Sequence, residues 1–289
     1  MLTLPVTVAS PPLPARKLNP RIFNGDYLLF SHLPAIRRFN TTVRNIVRDA
    51  FATNYPPQAH QQHQRDNFLC CAESAQQQVN TSDCKQLFAD VLRNVGLSTE
   101  GLFWDTLGLR VAPPVNFHHG GFRSAVGVHR DTWGAGFQAQ INWWAPLWPL
   151  AQNRTMGFYP RYWRQPLTNT TAEWSFKDYL KARQQAKNGR KAAYPSAPQA
   201  LVVPDDKIIP LIMRPGQLFC FSAAHLHATI PNTSSLTRFN IEIRTLCLDD
   251  LQQNRGSPNT DNNSRHPLPG LFSAVNDNSP LKTYWQPTK

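Results

Sequence analysis

Three short clusters in this 289-residue chain carry the donor groups a redox-active metal needs: His129-Arg130-Asp131, then Ala224-His225-Leu226-His227, then Arg238-Phe239-Asn240. Two imidazoles and one carboxylate fill three positions on one face of a ferrous ion and leave the opposite positions open to a substrate acid and to dioxygen. That is the donor set of an oxygenase centre. A lone His-x-Asp triplet carries little weight, because chance alone supplies one in many chains with this many histidines and aspartates. The ordered set of three clusters carries more. Either His225 or His227 completes it at this level, since alternate residues of a strand share a face.

Such a centre must be held by a rigid scaffold, and the composition describes one. At 41% hydrophobic and 11% aromatic residues the chain is globular, and 25 Pro against 14 Gly favours extended and turning segments around an all-β core. We expect one domain over 1–289, with a helical N-terminal region 1–105, a sheet core 106–250 and an irregular tail 251–289. Residues 34–51 read as a helix, with Pro34 in the first turn and Ile36, Phe39, Val43, Ile46, Val47 and Ala50 at helical spacing. A second helix runs from a Ser82 cap to a stop at Gly96. Between them, 56–64 is rich in Gln and His and reads as a surface loop, with His60 and His63 as exposed bystanders.

Further on, Gln138, Gln140 and Asn142 alternate with Ala139, Ile141 and Trp143, the signature of a strand with one polar face. An insertion at 152–204, with a helix over about 172–188, separates the two halves of the metal motif and is a candidate lid. Strands are expected again at 208–213 and 217–222, around a turn at Arg214-Pro215-Gly216, and at 238–248. In the last, Phe239, Ile241 and Ile243 share one face and Arg238, Asn240, Glu242 and Arg244 the other. Four polar groups on one face suit a wet interior, with the apolar face under the N-terminal helices. Trp285 is the expected anchor of the tail.

Several classes are disfavoured. Five cysteines without a CxxC pair suggest neither a disulfide framework nor a structural zinc site. No run reaches membrane-spanning length and the start makes a poor signal peptide, so a cytoplasmic location is expected. The balance of 30 Lys+Arg to 18 Asp+Glu, a net charge of +12, is spread along the chain in groups such as 161–164 and 181–191, which disfavours nucleic acid as substrate.

The residues His129-Arg130-Asp131-Thr132-Trp133, Gln140-Ile141-Asn142-Trp143-Trp144, His227-Ala228-Thr229-Ile230-Pro231-Asn232 and Arg238-Phe239-Asn240 together resemble the phytanoyl-CoA dioxygenase-like branch of the Fe(II)/2-oxoglutarate oxygenases. The resemblance runs from near Leu107 to near Leu248. It implies a mainly β fold with a double-stranded β-helix (jelly-roll, cupin-like) core, and Fe(II) held by His129, Asp131 and the distal histidine. His227 is preferred to His225 because it directly precedes Ala-Thr-Ile-Pro-Asn, as the family's ligand does. The family's co-substrate arginine follows that histidine at a short interval, which 238 − 227 = 11 matches. Arg238 is therefore expected to pair with the far carboxylate of 2-oxoglutarate, with Arg244 as fallback. Gln138, Gln140, Asn142 and Thr229 are expected secondary contacts to acid or substrate, although Gln140 and Asn142 could equally satisfy buried polar groups of the sheet.

The resemblance further implies that dioxygen and 2-oxoglutarate are consumed, giving succinate and carbon dioxide as a C–H bond is oxidised. Halogenases of the superfamily replace the carboxylate with Gly or Ala, so Asp131 favours hydroxylation or oxidative dealkylation. The leading expectation is a small-molecule oxygenase tailoring a specialised metabolite. Aromatic residues Trp133, Trp143, Trp144, Trp148, Phe158, Tyr159, Tyr162 and Trp163 are candidates for the mouth, and Arg123, Arg130, Arg154 and Arg161 for attracting an acidic substrate. Two alternatives stand beside it: a nucleic-acid or protein demethylase, because Arg238 to Arg244 is similar to the Arg-x-Asn-x-x-x-Arg strand of such enzymes, and a non-catalytic jelly-roll binding protein.

Overall fold

The computed structural model describes residues 3–117, 127–187, 194–264 and 267–286. Arg123 and residues 188–191 lie outside the described residues. The chain begins with β1 (Val6–Ala9), α1 (Ala15–Phe23) and β2 (Tyr27–Phe30), and continues through α2 (Pro34–Ala50), α3 (Ala59–Gln62), α4 (Arg65–Val79) and α5 (Ser82–Val95). α2 has Pro34 in its first turn, where a missing N–H leaves no bond unmade, and it buries Ile36, Phe39, Val43 and Val47 along one stripe. α5 ends at Gly96, whose φ of 116° a side chain would resist, and a Cβ there would meet the Leu13 backbone nitrogen at 2.6 Å.

The segment expected as a surface loop at 56–64 does reach the surface through Gln58, Gln61, Gln62 and Gln64, but it is helical over Ala59–Gln62 and its histidines are not fully exposed. Pro56, Pro57 and Ala59 are buried, His63 Nε2 lies 2.9 Å from the Phe51 carbonyl, and His60 Nδ1 lies 3.0 Å from the Thr237 hydroxyl. The glutamines suggest solvent, but the prolines, alanine and histidines among them tie this segment to the core. α1 and α4 extend the helical region beyond the two helices read from the sequence.

After α5 come β3 (Leu102–Trp104), β4 (Gly108–Ala112), the single turn α6 (Asp131–Ala135), β5 (Ile141–Pro146) and β6 (Met156–Phe158). They are followed by α7 (Phe176–Lys187), β7 (Ile209–Pro210), β8 (Leu218–Ser222), β9 (His227–Thr229), β10 (Arg238–Cys247), α8 (Leu248–Gln252) and β11 (Ser273–Ala274). The large sheet has the order β1-β2-β8-β5-β10-β3-β11, with β4 also paired to β10; the smaller one is β7-β6-β9. Only β1 and β2 pair in parallel among the described strands. The expectation of a mainly β chain therefore holds for the core and not for the whole: five helices precede Leu102, and helix exceeds strand overall.

β10 divides the molecule as its alternation requires. Phe239, Ile241 and Ile243 join the core beneath α2, α4 and α5, with the Phe239 ring 5.6 Å from that of Phe51. Truncating such a buried phenylalanine costs about 3–5 kcal/mol, so this face fixes the orientation of the other. Two strand expectations are corrected. Gln138 and Gln140 precede β5, because the Gln138 carbonyl accepts from the Ser257 amide of the tail rather than from a strand. Of 208–213 the paired strand is Ile209–Pro210, and the Leu211 amide extends the pairing by one bond to the Met156 carbonyl at 2.9 Å. The 152–204 stretch also contributes to the core at once, for β6 lies within it and pairs with β9. In the tail, Trp285 packs 5.4 Å from Phe137.

Candidate metal centre

Backbone pairing brings the two distal clusters together. His129 and His227 form an antiparallel bridge, each amide donating to the other's carbonyl at 2.9 and 3.0 Å, so their rings emerge side by side with centroids 4.3 Å apart. One residue past the bridge the chain turns into α6, which returns Asp131 to the same point. His129, Asp131 and His227 offer ligand atoms that all lie within 4.8 Å of one another.

The ring tautomers follow from the neighbours. His129 Nδ1 faces the Gly127 carbonyl at 2.8 Å and His227 Nδ1 faces the His225 carbonyl at 2.9 Å. A carbonyl only accepts, so Nδ1 carries the proton in each ring and Nε2 keeps its lone pair for a metal. Burial, and then the nearby His129, push the pKa of His227 down to about 4, which keeps the ring neutral and its Nε2 lone pair free. Burial alone would raise Asp131, but Arg244, the His129 hydrogen bond and His227 outweigh it and hold the carboxyl well below its usual range.

His225 is not placed to bind the metal. Its two ring nitrogens face the Ser222 and Gly25 carbonyls at 3.1 and 3.0 Å, and the ring lies between Tyr27 and Trp163 with centroids at 4.1 and 4.4 Å. Burial pushes its pKa down to about 3. It is a core histidine.

The triad opens into a cavity between the two sheets. Asn142, Trp143 and Trp144 of β5, Phe221 of β8, Arg110 of β4 and Arg238, Glu242, Ile243 and Arg244 of β10 form one wall, and Met156, Ala228 and Thr229 lie on the side of His227. Arg238 is 5% exposed, and its Nε and Nη1 have no hydrogen-bond partner among the described residues. A buried guanidinium without an anion is costly, and burial followed by repulsion from Arg110 lowers its pKa to about 10. The other two cavity arginines are paired: Arg110 with Glu242 at 2.7 Å, and Arg244 with Asp105 at 2.7 Å and Asp131 at 3.5 Å.

The remaining sequence candidates sort by position. Thr229 and Asn142 line the cavity; Gln140 does not, and instead donates from Nε2 to Asn142 Oδ1 at 3.0 Å. Asn142 Nδ2 in turn donates to Asp131 Oδ2 at 2.5 Å, so this amide serves the ligand itself. Gln138 lies under the tail. Arg244 is unsuited to the fallback role because Asp105 and Asp131 already engage it. Of the eight aromatic candidates, Trp143 and Trp144 line the cavity, while Phe158 sits 5.7 Å from His227 and Trp133, Tyr159 and Tyr162 form a separate core cluster.

The described basic candidates, Arg130, Arg154 and Arg161, do not line the cavity. Arg154 donates to the Pro149 carbonyl, and Arg161 is exposed near Asp206. Arg130 is buried and ties four segments together: it donates to Asp261 at 3.0 and 3.2 Å and to the carbonyls of Ala224, Tyr162 and Gln165 at 2.6, 2.7 and 2.9 Å. Asp261 also accepts from Trp133 Nε1 and the Leu167 amide. Sequence reasoning missed Asp261, Asp105 and Arg110. Arg110 had a signal in the alternation of β4; the two aspartates, far away in the chain, had none.

No family model and no curated protein sequence matches the chain. Among solved structures it is similar to EvdO2 from Micromonospora carbonacea var. aurantiaca complexed with 2-oxoglutarate, at 11% identity and a TM-score of 0.38, covering 61% of this chain and 64% of that one. It is similar to the non-heme monooxygenase ThoJ in its apo form at 18% identity and 0.40, covering 80% and 77%, and to AviO1 from Streptomyces viridochromogenes Tue57 at 12% and 0.40, covering 82% and 96%. The chain thus spans just under two thirds of the EvdO2 chain. At these scores the likeness carries no argument, and the functional reading rests on the cavity.

Proposed function

We propose that this chain is an Fe(II)/2-oxoglutarate-dependent oxygenase that hydroxylates, or oxidatively dealkylates, a small molecule. One observation carries the reading: a two-histidine, one-carboxylate set shares a cavity with a buried guanidinium whose Nε and Nη1 have no hydrogen-bond partner among the described residues. Each half explains the other. The donor set fits Fe(II), whose preferred ligands are imidazole nitrogen and carboxylate oxygen in a facial triad with open positions. The unpartnered Arg238 fits a carboxylate at the far end of a bound keto acid.

The roles follow from the geometry. His129 and His227 present Nε2 with Nδ1 held by backbone carbonyls, and Asp131 presents a carboxylate kept ionised by Arg244. Arg238 pairs with the distal carboxylate of 2-oxoglutarate, and Thr229 lines the same cavity. Trp144, Phe221 and Met156 supply apolar walls that keep bulk water from the reacting C–H. Fe(II) supplies dioxygen activation when bound, and the balance of the reaction is one C–H to C–OH, one 2-oxoglutarate to succinate and carbon dioxide, and one dioxygen consumed.

The two sheets, with the cavity between them, support a jelly-roll reading of the core, and we take the chain as one domain with the later part of 152–204 as its lid. No described helix is long and apolar enough to cross a membrane. Because Arg110 and Arg244 already have carboxylate partners, the described wall offers no second cation to an acidic substrate once Arg238 holds the co-substrate.

Anaerobic addition of Fe(II) and 2-oxoglutarate should produce the weak visible charge-transfer band of the chelate. Asp131→Ala should abolish succinate release; unchanged succinate formation in that variant would refute the assignment.

A further inference from the structure

Resting on the metal reading above, we propose that Asn142 and Arg244 are positioning residues that hold Asp131 to coordination through a single oxygen, which keeps three metal positions open. β5 and β10 are antiparallel neighbours, and Asn142 and Arg244 are direct register partners across them. Their side chains therefore leave the same face of the sheet at the same level. Both converge on one atom: Asn142 Nδ2 lies 2.5 Å and Arg244 Nε 3.5 Å from Asp131 Oδ2. The other oxygen, Oδ1, points to the ligand cluster, 3.4 Å from His129 Nε2.

Each positioning group is itself fixed. Gln140 Nε2 donates to Asn142 Oδ1, which forces the amide to turn its Nδ2 towards Asp131. Asp105 clamps Arg244 twice, Oδ1 accepting from its backbone amide at 2.8 Å and Oδ2 from Nη1 at 2.7 Å, which leaves Nε facing the ligand. The arrangement has a coordination consequence. A free carboxylate binds a divalent ion through one oxygen or both, and the second oxygen takes a position of its own. A six-coordinate ion with three protein atoms has three positions left, as many as a chelating keto acid and dioxygen require; a two-oxygen aspartate would leave two. Donors on Oδ2 hold that oxygen away from the ion.

The test uses Mn(II) as the probe, in the absence of 2-oxoglutarate, and counts metal-bound water by oxygen-17 electron–nuclear double resonance. The parent chain should carry three water ligands. Asn142→Ala and Arg244→Lys, each checked for fold by near-ultraviolet circular dichroism, should carry two, and should then bind 2-oxoglutarate roughly 10–100-fold more weakly, the range seen when groups orienting a ligand are removed. A role confined to stability would leave the water count at three. Three waters in both folded variants would overturn the proposal. So would loss of Mn(II) binding in folded Asn142→Ala, since the amide would then be needed to hold the ion rather than to shape its site. A parent chain that bound no Mn(II) would remove the metal reading as well, so the two failures are distinguishable.

Discussion

Replacing Arg238 by methionine should stabilise the chain alone while destroying its response to 2-oxoglutarate. Arg238 is charged in the unfolded chain and remains charged when buried, and the drop of its pKa to about 10 corresponds to a penalty of about 3 kcal/mol on the native state. Methionine fills much of the same volume without the charge, so that penalty disappears. For a chain of this size about 2 °C of Tm accompanies each kcal/mol, and the metal-free variant should melt about 6 °C above the parent. With Mn(II) saturating both proteins, 2-oxoglutarate at about a hundredfold excess over Kd should add about 2.7 kcal/mol to the parent and nothing to the variant, which nearly closes the gap. Scanning calorimetry of both proteins, with and without the keto acid, reads all four values. A variant less stable than the parent when metal-free, or one that still shifts with 2-oxoglutarate, would refute the reasoning, because Arg238 would then have a partner of its own in the fold.

Asp261→Ala should cost about 3–5 kcal/mol in denaturant unfolding, because it strands the buried Arg130 guanidinium; a change under about 1 kcal/mol would show that Arg130 does not depend on it. His227→Ala should reduce Mn(II) affinity at least a hundredfold by titration calorimetry, whereas His225→Phe should leave it within a few-fold, and equal losses would contradict the choice of ligand. Single- and double-stranded DNA and RNA should show no binding with a steep salt dependence at low ionic strength, and a log–log slope of several units in a polarisation titration would revive the demethylase alternative.

Much of the site was legible because chemistry is local in sequence where strands are local. The triplet at 129–131 and the alternation of 238–244 are patterns of neighbours, and they pointed to His129, Asp131 and the polar face that carries Arg238, while leaving the second histidine open between His225 and His227. The same locality gave α2 and α5, whose apolar stripes and end signals lie within one element. It misled where composition stood in for environment, as at His60 and His63, and where a partner cut a pattern short, as the tail does at Gln138.

The sequence by itself determined the donor types, their order and the face of β10 that must look inward, because these depend on residue identity and a period of two. Only the tertiary structure decided between His225 and His227, since both share that period and differ in which carbonyls surround their nitrogens. It also decided that Arg244 lies against Asp131 while Arg238 Nε and Nη1 have no hydrogen-bond partner among the described residues, and that Asp261 secures Arg130, because these pairings join residues as much as 139 positions apart. Such contacts are set by how sheets and tail pack, and no spacing along the chain encodes them.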